Sequence, residues 1–278
     1  MTVSMKKKQG KNMIEKDELL NIPAYDMMRY LEFATTIIQD GRIEIFEDGF
    51  SSRHVDTSHV CMIKLQYGDC SKPEKGQRLA FEFKNMLDAL KKAGATKFEG
   101  RGENRQPAKT CVLSLDSQKG RYSLDIGGLG FSDQPLDDAT MASPPTLPKI
   151  ELPESVEVDA DEFLKSLEWC KLHGDLFFLR TDGEAVWAEV NPQGMSGPMK
   201  QTYAKMEGTW DGENTPSQAS YSITYVLPLI KKLKGQKLTL NFGDNFPLKI
   251  ECNVDLGYKD CTPLKLDMFL APRVDSDY

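Results

Sequence analysis

The spacing of apolar and polar positions in the first half of the chain predicts two helices set among short strands. Between residues 23 and 39 apolar residues recur at helical spacing, and Asp40-Gly41 ends the pattern. A second helix is predicted over residues 83–93, ended by Gly94. Glu47-Asp48-Gly49 is typical of a hairpin turn between two strands. The predicted strands are residues 42–46, 50–55, 59–67, 110–115 and 121–126.

The middle of the chain has no such periodicity. Residues 127–153 are rich in glycine and aspartate and contain the prolines 135, 144, 145, 148 and 153. This composition is typical of an extended connector, which places a domain boundary there. Residues 12–21 do not read as a strand, and the lysine-bearing start of the chain reads as a disordered tail.

The second half repeats the order of the first. A helix is predicted over residues 161–172, and Thr181-Asp182-Gly183 marks a hairpin that matches Asp48-Gly49 at a separation of about 135 residues. Residues 208–219 are predicted to form a flexible loop. In the last helix, Pro228 is expected in the first turn, after a cap at Thr224. The remaining predicted strands are residues 155–158, 175–180, 184–190, 237–242, 248–254 and 264–270.

The chain is therefore predicted to be an α+β protein of two similar domains, each rich in antiparallel strands and carrying two short helices. The predicted division is an N-terminal extension over 1–22, a first domain over 23–126, a connector over 127–153 and a second domain over 154–278.

Composition narrows the class of protein. The 278 residues are 40% hydrophobic and 28% charged, as in an ordinary globular protein, and no apolar run is long enough to span a bilayer. The six cysteines form no CxxC pair, so reduced thiols inside the cell are expected. A net charge of −7 argues against holding nucleic acid by bulk attraction, although it does not say which face the lysines occupy.

Catalytic motifs are weak. No Walker loop is present, and Gly127-Gly128-Leu129-Gly130 lacks the residues that would complete one. His54, Asp56 and Ser58 could share one face of a strand, but alternate positions lie about 7 Å apart, too far for a hydrogen-bonded relay. A structural corner is the favoured interpretation of this segment. Neither a metal nor a cofactor site is expected, and the chain is predicted not to be an enzyme.

Lysines on the predicted helices are more informative. Lys84 and Lys91 share one helix face, Lys231 and Lys234 another, and Lys165 and Lys171 lie on a third helix. These could be ordinary solvated faces. Alternatively, helices of both halves could present their basic sides to one phosphate surface, which would bind DNA through its backbone without sequence preference.

Four stretches, in order along the chain, resemble the proliferating cell nuclear antigen (PCNA) family of DNA sliding clamps. They are Glu47-Asp48-Gly49-Phe50, the corner from Val55 to Val60, the stretch from Gly243 to Glu251, and Phe269-Leu270-Ala271-Pro272-Arg273-Val274 before an acidic tail. With the duplication, the resemblance covers roughly residues 23–278.

The resemblance implies a pair of DNA-clamp domains assembling into a head-to-tail ring, expected to be a homotrimer, around double-stranded DNA. Such a clamp is a processivity factor that docks DNA polymerase, ligase and nuclease through short peptides and is placed by a clamp loader. It would be DNA-associated within the cell, in the nucleus of a eukaryote or the nucleoid otherwise. The DNA-facing residues implied are Lys84, Lys91, Lys92, Lys165, Lys171, Lys231, Lys232 and Lys234.

The resemblance also implies a partner-peptide pocket beside the connector. Its walls and floor, carried over position by position, are Val55, His59, Val60, Met62, Pro247, Phe269, Leu270, Ala271, Pro272 and Val274, with Leu147 and Ile150 on the connector side. Edge strands expected to pair between subunits are residues 110–115 and 186–190. The alternatives are a checkpoint-type subunit of a heteromeric ring and a hydrolase built on Asp56, Ser58 and His59.

Overall fold

A computed structural model describes residues 17–70, 77–141, 150–181, 185–190, 202–206, 208–210 and 217–273. The first half forms two helices, α1 (Ala24–Ala34) and α2 (Phe83–Lys92). Its strands are β1 (Asp17–Pro23), β2 (Asp40–Phe46), β3 (Gly49–Val55), β4 (Cys61–Gly68), β5 (Gln77–Glu82), β6 (Phe98–Glu99), β7 (Gln106–Pro107), β8 (Thr110–Asp116), β9 (Arg121–Ile126) and β10 (Leu129–Asp133).

The second half forms α3 (Ala160–Lys171) and α4 (Ile223–Lys232). Its strands are β11 (Glu154–Asp159), β12 (Leu176–Thr181), β13 (Val186–Val190), β14 (Thr202–Met206), β15 (Gly208–Trp210), β16 (Ser217–Ser222), β17 (Lys237–Phe242), β18 (Leu248–Val254) and β19 (Leu264–Leu270). The predicted duplication is visible here, because each half places one helix after its first strand and one after its fifth or sixth.

One nine-stranded antiparallel sheet crosses from one half to the other, in the order β15-β11-β17-β18-β19-β4-β3-β2-β5. The junction is the pairing of β19 with β4, in register from Leu264 opposite Tyr67 to Leu270 opposite Cys61. Two four-stranded sheets, β1-β8-β9-β10 and β14-β13-β12-β16, complete the layers. The two halves therefore share a continuous backbone hydrogen-bond network.

The four helices form a layer against one face of the sheets. α1 packs on α2, α3 packs on α4, and α1 also touches α4, which gives the order α2-α1-α4-α3. Strand residues that face this layer, such as Ile63, Leu65 and Leu266, are buried in a single apolar cluster that extends through both halves. The alternate residues of the same strands, such as Lys64, point to the opposite face of the sheet, which we call the outer face.

The helices carry capping or charged side chains at their ends that suit the helix dipole. Asp159 caps α3 by accepting a hydrogen bond from the Asp161 N–H at 2.8 Å. The last turns of α2 and α4 each carry two lysines, and cations there interact favourably with the negative end of the helix dipole. The same lysines are those that the sequence singled out for DNA.

Several predicted elements need correction. Residues 17–23 form β1 and so do not belong to a disordered extension, while residues 1–16 lie outside the described residues. The predicted connector begins with β10, which pairs with β9. The predicted loop 208–219 contains β15 and the start of β16.

Two further expectations are wrong. Pro228 lies in the middle of α4, which follows Ser222, so it is not in the first turn. The strands expected at the sheet edges, β8 and β13, are interior, because β8 lies between β1 and β9 and β13 between β12 and β14. The strands that end these two sheets near the expected positions are β10 and β14.

The cysteines are all free, as the sequence predicted. Burial raises the pKa of the Cys252 thiol to about 12 and that of Cys170 to about 11, with the Glu189 carboxylate adding to the shift at Cys170. Both therefore remain protonated at neutral pH. Among the described residues no helix is long and apolar enough to cross a bilayer.

Candidate functional sites: a basic helix layer and an apolar row

The exposed surface of the helix layer carries most of the predicted DNA-facing lysines. On α2 the apolar side is buried through Phe83, Met86 and Leu90, which leaves Lys84 and Lys91 on the opposite side. Seven of the eight predicted lysines are exposed and Lys232 is half-buried. The exposed ones are Lys84, Lys91, Lys92, Lys165, Lys171, Lys231 and Lys234.

α1 contributes a charge network that joins three helices. Glu32 forms ion pairs with Arg29 at 2.8 Å and with Lys91 of α2 at 2.9 Å. Arg29 also donates to the backbone oxygen of Lys232 on α4 at 2.7 Å, while the Lys232 ammonium donates to the backbone oxygen of Glu32. Sequence reasoning missed Glu32 because the pairing depends on how the helices pack.

Electrostatics in this network follow from the packing. Burial acts to raise the pKa of Glu32, but hydrogen bonds from Lys91 and Arg29 outweigh it, so the pKa lies below the ordinary value. Burial lowers the pKa of Lys232; Glu32 acts to raise it, while Lys91 and Arg29 act to lower it. Glu32 therefore stays ionised and holds the neighbouring cations in place.

α3 is the least basic part of the layer. Its exposed side carries Lys165 beside Glu168, Trp169 and Leu172, and the last two are 50% and 73% exposed. Glu168 pairs with Lys231 of α4 at 3.3 Å, and Lys171 pairs with Asp175. Two of the predicted lysines are thus partly compensated by carboxylates.

On the outer face, three apolar residues of the predicted partner pocket lie in one line. Val55 of β3 is opposite Met62 of β4, which is opposite Phe269 of β19. We call these three the apolar row. Met62 is only 5% exposed yet is not part of the core cluster. Lys249 of β18 follows Phe269 in the same register, with its ammonium 5.7 Å from the ring centroid.

The other predicted pocket residues are distributed around this row. Val60 is partly buried against the core, and its backbone oxygen accepts from Ala271 N–H at 2.9 Å. His59 and Ala271 are exposed, Pro247 and Pro272 are half-buried, and Ile150 is 39% exposed. Leu147 and Val274 lie outside the described residues. Leu270 is a correction: its side chain is fully buried in the core, so it cannot line a pocket on the outer face.

Asp56 builds the corner between β3 and β4. One carboxylate oxygen accepts from the N–H groups of Val60 and Cys61 at 2.8 and 2.6 Å. The other accepts from Ser58 N–H at 3.0 Å and from the Tyr225 hydroxyl of α4 at 3.1 Å. Burial acts to raise the pKa of Asp56, but the backbone hydrogen bonds outweigh it and lower it.

The corner does not have the arrangement of a catalytic triad. Both oxygens of Asp56 are engaged by backbone N–H groups, and His59 is exposed with a φ of 57°, in the left-handed region. Within the described part of the chain, no hydrogen bond joins the side chains of Asp56, Ser58 and His59 into a relay. The geometry fits the structural corner that the sequence favoured.

A buried carboxyl group, missed by sequence reasoning, joins the two halves. Asp26 of α1 is fully buried and accepts from the Tyr67 hydroxyl at 2.7 Å and the Tyr258 hydroxyl at 2.6 Å. Burial raises its pKa, and the two hydroxyl groups offset part of that shift. The described residues contain no group of three or more His, Cys, Asp or Glu placed to hold a metal ion.

The arrangement of two similar halves, an outer antiparallel sheet and a layer of four helices is similar to the fold of sliding-clamp subunits. The DNA polymerase sliding clamp of Methanococcoides burtonii is 23% identical over 267 residues, which cover 92% of this chain and 98% of the relative. No protein-family model matches the chain.

Solved structures agree on the fold. The chain is similar to the PCNA of A. fulgidus, solved with the C-terminal region of FEN-1, with a TM-score of 0.74 and 19% identity over 95% of this chain and all of that one. It is also similar to a chain of the PCNA2–PCNA3 complex of Sulfolobus tokodaii, with a TM-score of 0.67 and 16% identity over 93% and 99% of the two chains. The resemblance to the PCNA family that the sequence motifs indicated is confirmed.

Proposed function

We propose that this chain is a subunit of a ring-shaped clamp that encircles duplex DNA and serves as a processivity factor and docking platform. The observation that carries the proposal is the helix layer. In an acidic protein, seven exposed lysines lie on, or directly after, three of the four helices that share one surface, and both halves contribute to it. The likeness to sliding clamps along almost the whole chain supports the same function.

A clamp of this kind needs only weak contacts with DNA. Encirclement keeps the ring on the duplex, so a net charge of −7 is compatible with the function. Exposed lysines give contacts that salt screens, which permits sliding. The role is non-catalytic, requires no cofactor, and would keep the protein with the DNA inside the cell.

The apolar row is the proposed docking site for short peptides of polymerase, ligase, nuclease and clamp-loader partners. It places Val55, Met62 and Phe269 on the outer face. Ile150, which belongs to the predicted connector, is exposed. A small number of apolar anchors on an otherwise polar surface is where peptide-binding energy concentrates.

The ring is proposed to be a homotrimer, with a heteromeric ring as the alternative. The structure that resembles this chain in S. tokodaii is a complex of two different clamp proteins. In this chain the exposed side of α3 carries Glu168, Trp169 and Leu172, where lysine or arginine would be expected to face DNA. This observation is the reason to consider a ring of unlike subunits. Light scattering over a dilution series separates the two, because a chain that requires other subunits remains below a trimer.

Retention on circular against linear duplex DNA tests encirclement directly. We expect the protein, loaded by a clamp loader, to remain on nicked circles and to leave linear DNA through its ends. Lys84→Ala with Lys92→Ala should reduce the salt dependence of DNA binding by roughly one unit of slope per lysine. Lys237→Ala with Lys259→Ala, outside the helices, is the matched control. Equal retention on circles and linear DNA would refute the proposed function.

A further inference from the structure

A cavity on the outer face is lined by cationic side chains. Its volume is about 360 Å³, and it lies over β5, β2, β3 and β4. Four of its side chains are cationic and one is a carboxylate, and two serine residues complete the lining. The lining residues are Arg42, Glu44, Ser51, Ser52, Arg53, Lys64 and Arg78. This concentration of positive charge stands out on a protein with a net charge of −7.

Three of the four cations have a carboxylate partner within 4 Å, and two of these pairs are close. Arg42 forms an ion pair with Asp138 at 2.7 Å, which ties β2 to the connector, and Arg78 pairs with Glu44 at 2.6 Å. These contacts orient the rim of the cavity. Because carboxylates partly neutralise Arg42 and Arg78, most of the uncompensated positive charge of the cavity lies on Arg53 and Lys64.

Arg53 and Lys64 are the two cations that are most available to a ligand. Arg53 of β3 lies directly opposite Lys64 of β4, and like charges in that position repel each other across the strands. Lys64 forms a long ion pair with Asp267, at 3.8 Å, and Arg53 makes no ion pair within the described residues. An anion bound between Arg53 and Lys64 would relieve the repulsion.

The cavity adjoins the apolar row. Arg53 precedes Val55 by two residues on β3, and Lys64 follows Met62 by two residues on β4, so all four side chains point to the outer face. The separation along the strands is about 7 Å, the distance between alternate side chains of an extended peptide. A peptide with an apolar anchor over the row can therefore place a neighbouring side chain over the two cations.

We propose that this cavity binds acidic side chains of the docking peptide, next to its apolar anchors. The inference rests on the proposed docking function and adds a preference for partners with Asp or Glu beside the anchor. Carboxylates are the class of ligand because Arg53 and Lys64 offer two donors to an anion on the sheet face opposite the helix layer, away from the encircled duplex.

The test uses labelled peptides of the C-terminal region of an archaeal FEN-1, measured by fluorescence anisotropy at low salt. Versions extended by three Glu at either end are compared with versions extended by three Gln. We expect the Glu extension at one end to tighten binding by about three- to tenfold on the unmodified protein. Arg53→Ser with Lys64→Ser should abolish that gain and leave the affinity for the unextended peptide unchanged.

Lys237→Ser with Lys259→Ser is the charge-matched control and should keep the gain, since both lysines are exposed and lie outside the cavity lining. Equal affinity for Glu and Gln extensions, or a gain that survives in the Arg53/Lys64 variant, overturns the inference. A loss of duplex DNA binding in that variant, without a Glu effect, would make the cavity a nucleic-acid site and overturn it too.

The same peptides also distinguish a failure of the proposed docking site from a failure of the proposed cavity. Phe269→Ala should weaken binding of the unextended peptide, because it removes an anchor of the apolar row. If the unextended peptide binds the Phe269→Ala variant as well as the unmodified protein, the proposed docking site itself is wrong. Thermal unfolding of every variant confirms that it is folded, which exposed substitutions at Arg53 and Lys64 should permit.

Discussion

Single polar side chains hold the corners and junctions of this molecule. Asp56 satisfies three backbone N–H groups at the corner between β3 and β4 and reaches Tyr225 on α4. Asp26 accepts hydrogen bonds from the hydroxyl groups of Tyr67 and Tyr258, one from each half. Buried groups of this kind contribute most when they satisfy several donors at once, because each donor would otherwise be left without a partner.

Asp56→Ala should lower the free energy of unfolding by about 2–4 kcal/mol, since it leaves backbone N–H groups without acceptors. Ser58→Ala should change it by less than about 0.5 kcal/mol, because Ser58 is exposed. Urea unfolding followed by circular dichroism measures both. A large loss of clamp function in a folded Ser58→Ala variant would instead support the hydrolase alternative.

His54 makes stability depend on pH. Burial, with repulsion from Arg42, lowers the pKa of its imidazole to about 4. Between the ordinary value near 6.5 and pH 4 the unfolded chain therefore binds a proton that the folded chain does not. Stability should fall as the pH decreases through this window, by about 3 kcal/mol at its lower end.

Urea unfolding of the unmodified protein and of His54→Leu, at one protein concentration and at several pH values between 7.5 and 4.5, measures this effect. The variant should have a shallower loss of stability towards acid, and His59→Gln, at an exposed position, should match the unmodified protein. The raised pKa of Asp26 acts in the opposite direction in all three proteins, so the difference between them reports His54. Identical pH profiles would contradict the prediction.

At the scale of elements, most of the strands that the sequence predicted alternate between core and solvent, and the strands that it missed lack a clear alternation. β2, β3 and β17–β19 alternate clearly and were found. β1 was missed because its register shifts between Glu18 and Leu20, which breaks the alternation. β10 is an exposed strand held by backbone hydrogen bonds to β9. Its side chains therefore show no alternation of apolar and polar residues that would predict a strand.

The functional surfaces were predictable to a similar extent. Lysines on helices could be found by spacing, and the apolar row could be found by its resemblance to a known family. The Glu32 network, the Asp26 junction and the basic cavity could not, because each joins residues that are distant in sequence. Strand edges were also misplaced, since an interior strand such as β8 and an edge strand can have the same side-chain pattern.

The charge network on α1 gives a prediction for the helix layer. Glu32→Gln should lower the free energy of unfolding by about 1–3 kcal/mol, because Arg29 and Lys91 lose the carboxylate that they share. Glu168→Gln makes the same change of charge at an exposed pair and should leave stability within about 0.5 kcal/mol. Both variants should bind duplex DNA more tightly at low salt. Equal stability of the two variants would argue against a structural role for Glu32.

At the scale of the whole molecule, we expect the proposed ring to close through the strands that end the two smaller sheets. β10 and β14 each leave one side without a partner strand in the described part of the chain. Head-to-tail pairing of such edges between copies closes a ring and protects both edges. Leu129, at the start of β10, is 54% exposed in the single chain, as expected for a residue that a neighbouring subunit covers.

Leu129→Asp should therefore shift the population from ring to monomer while leaving the unfolding of the monomer almost unchanged. Light scattering at decreasing concentration, with urea unfolding of the dilute protein, provides the two measurements. Phe246→Asp is the control, because Phe246 is an exposed apolar residue between β17 and β18, outside both β10 and β14. A ring that is equally stable in the Leu129 and unmodified proteins would exclude β10 from the subunit contact.

In the proposed ring, the nine-stranded sheet that crosses both halves also affects which parts can deform under mechanical load. β19 and β4 face each other over seven residue pairs, so separating the two halves of a subunit would require breaking a whole ladder of backbone hydrogen bonds. Each subunit should behave as a stiff segment, and deformation should concentrate at the joints between subunits. A clamp loader that opens the ring would then separate one interface between subunits, while the subunits on either side move as rigid bodies.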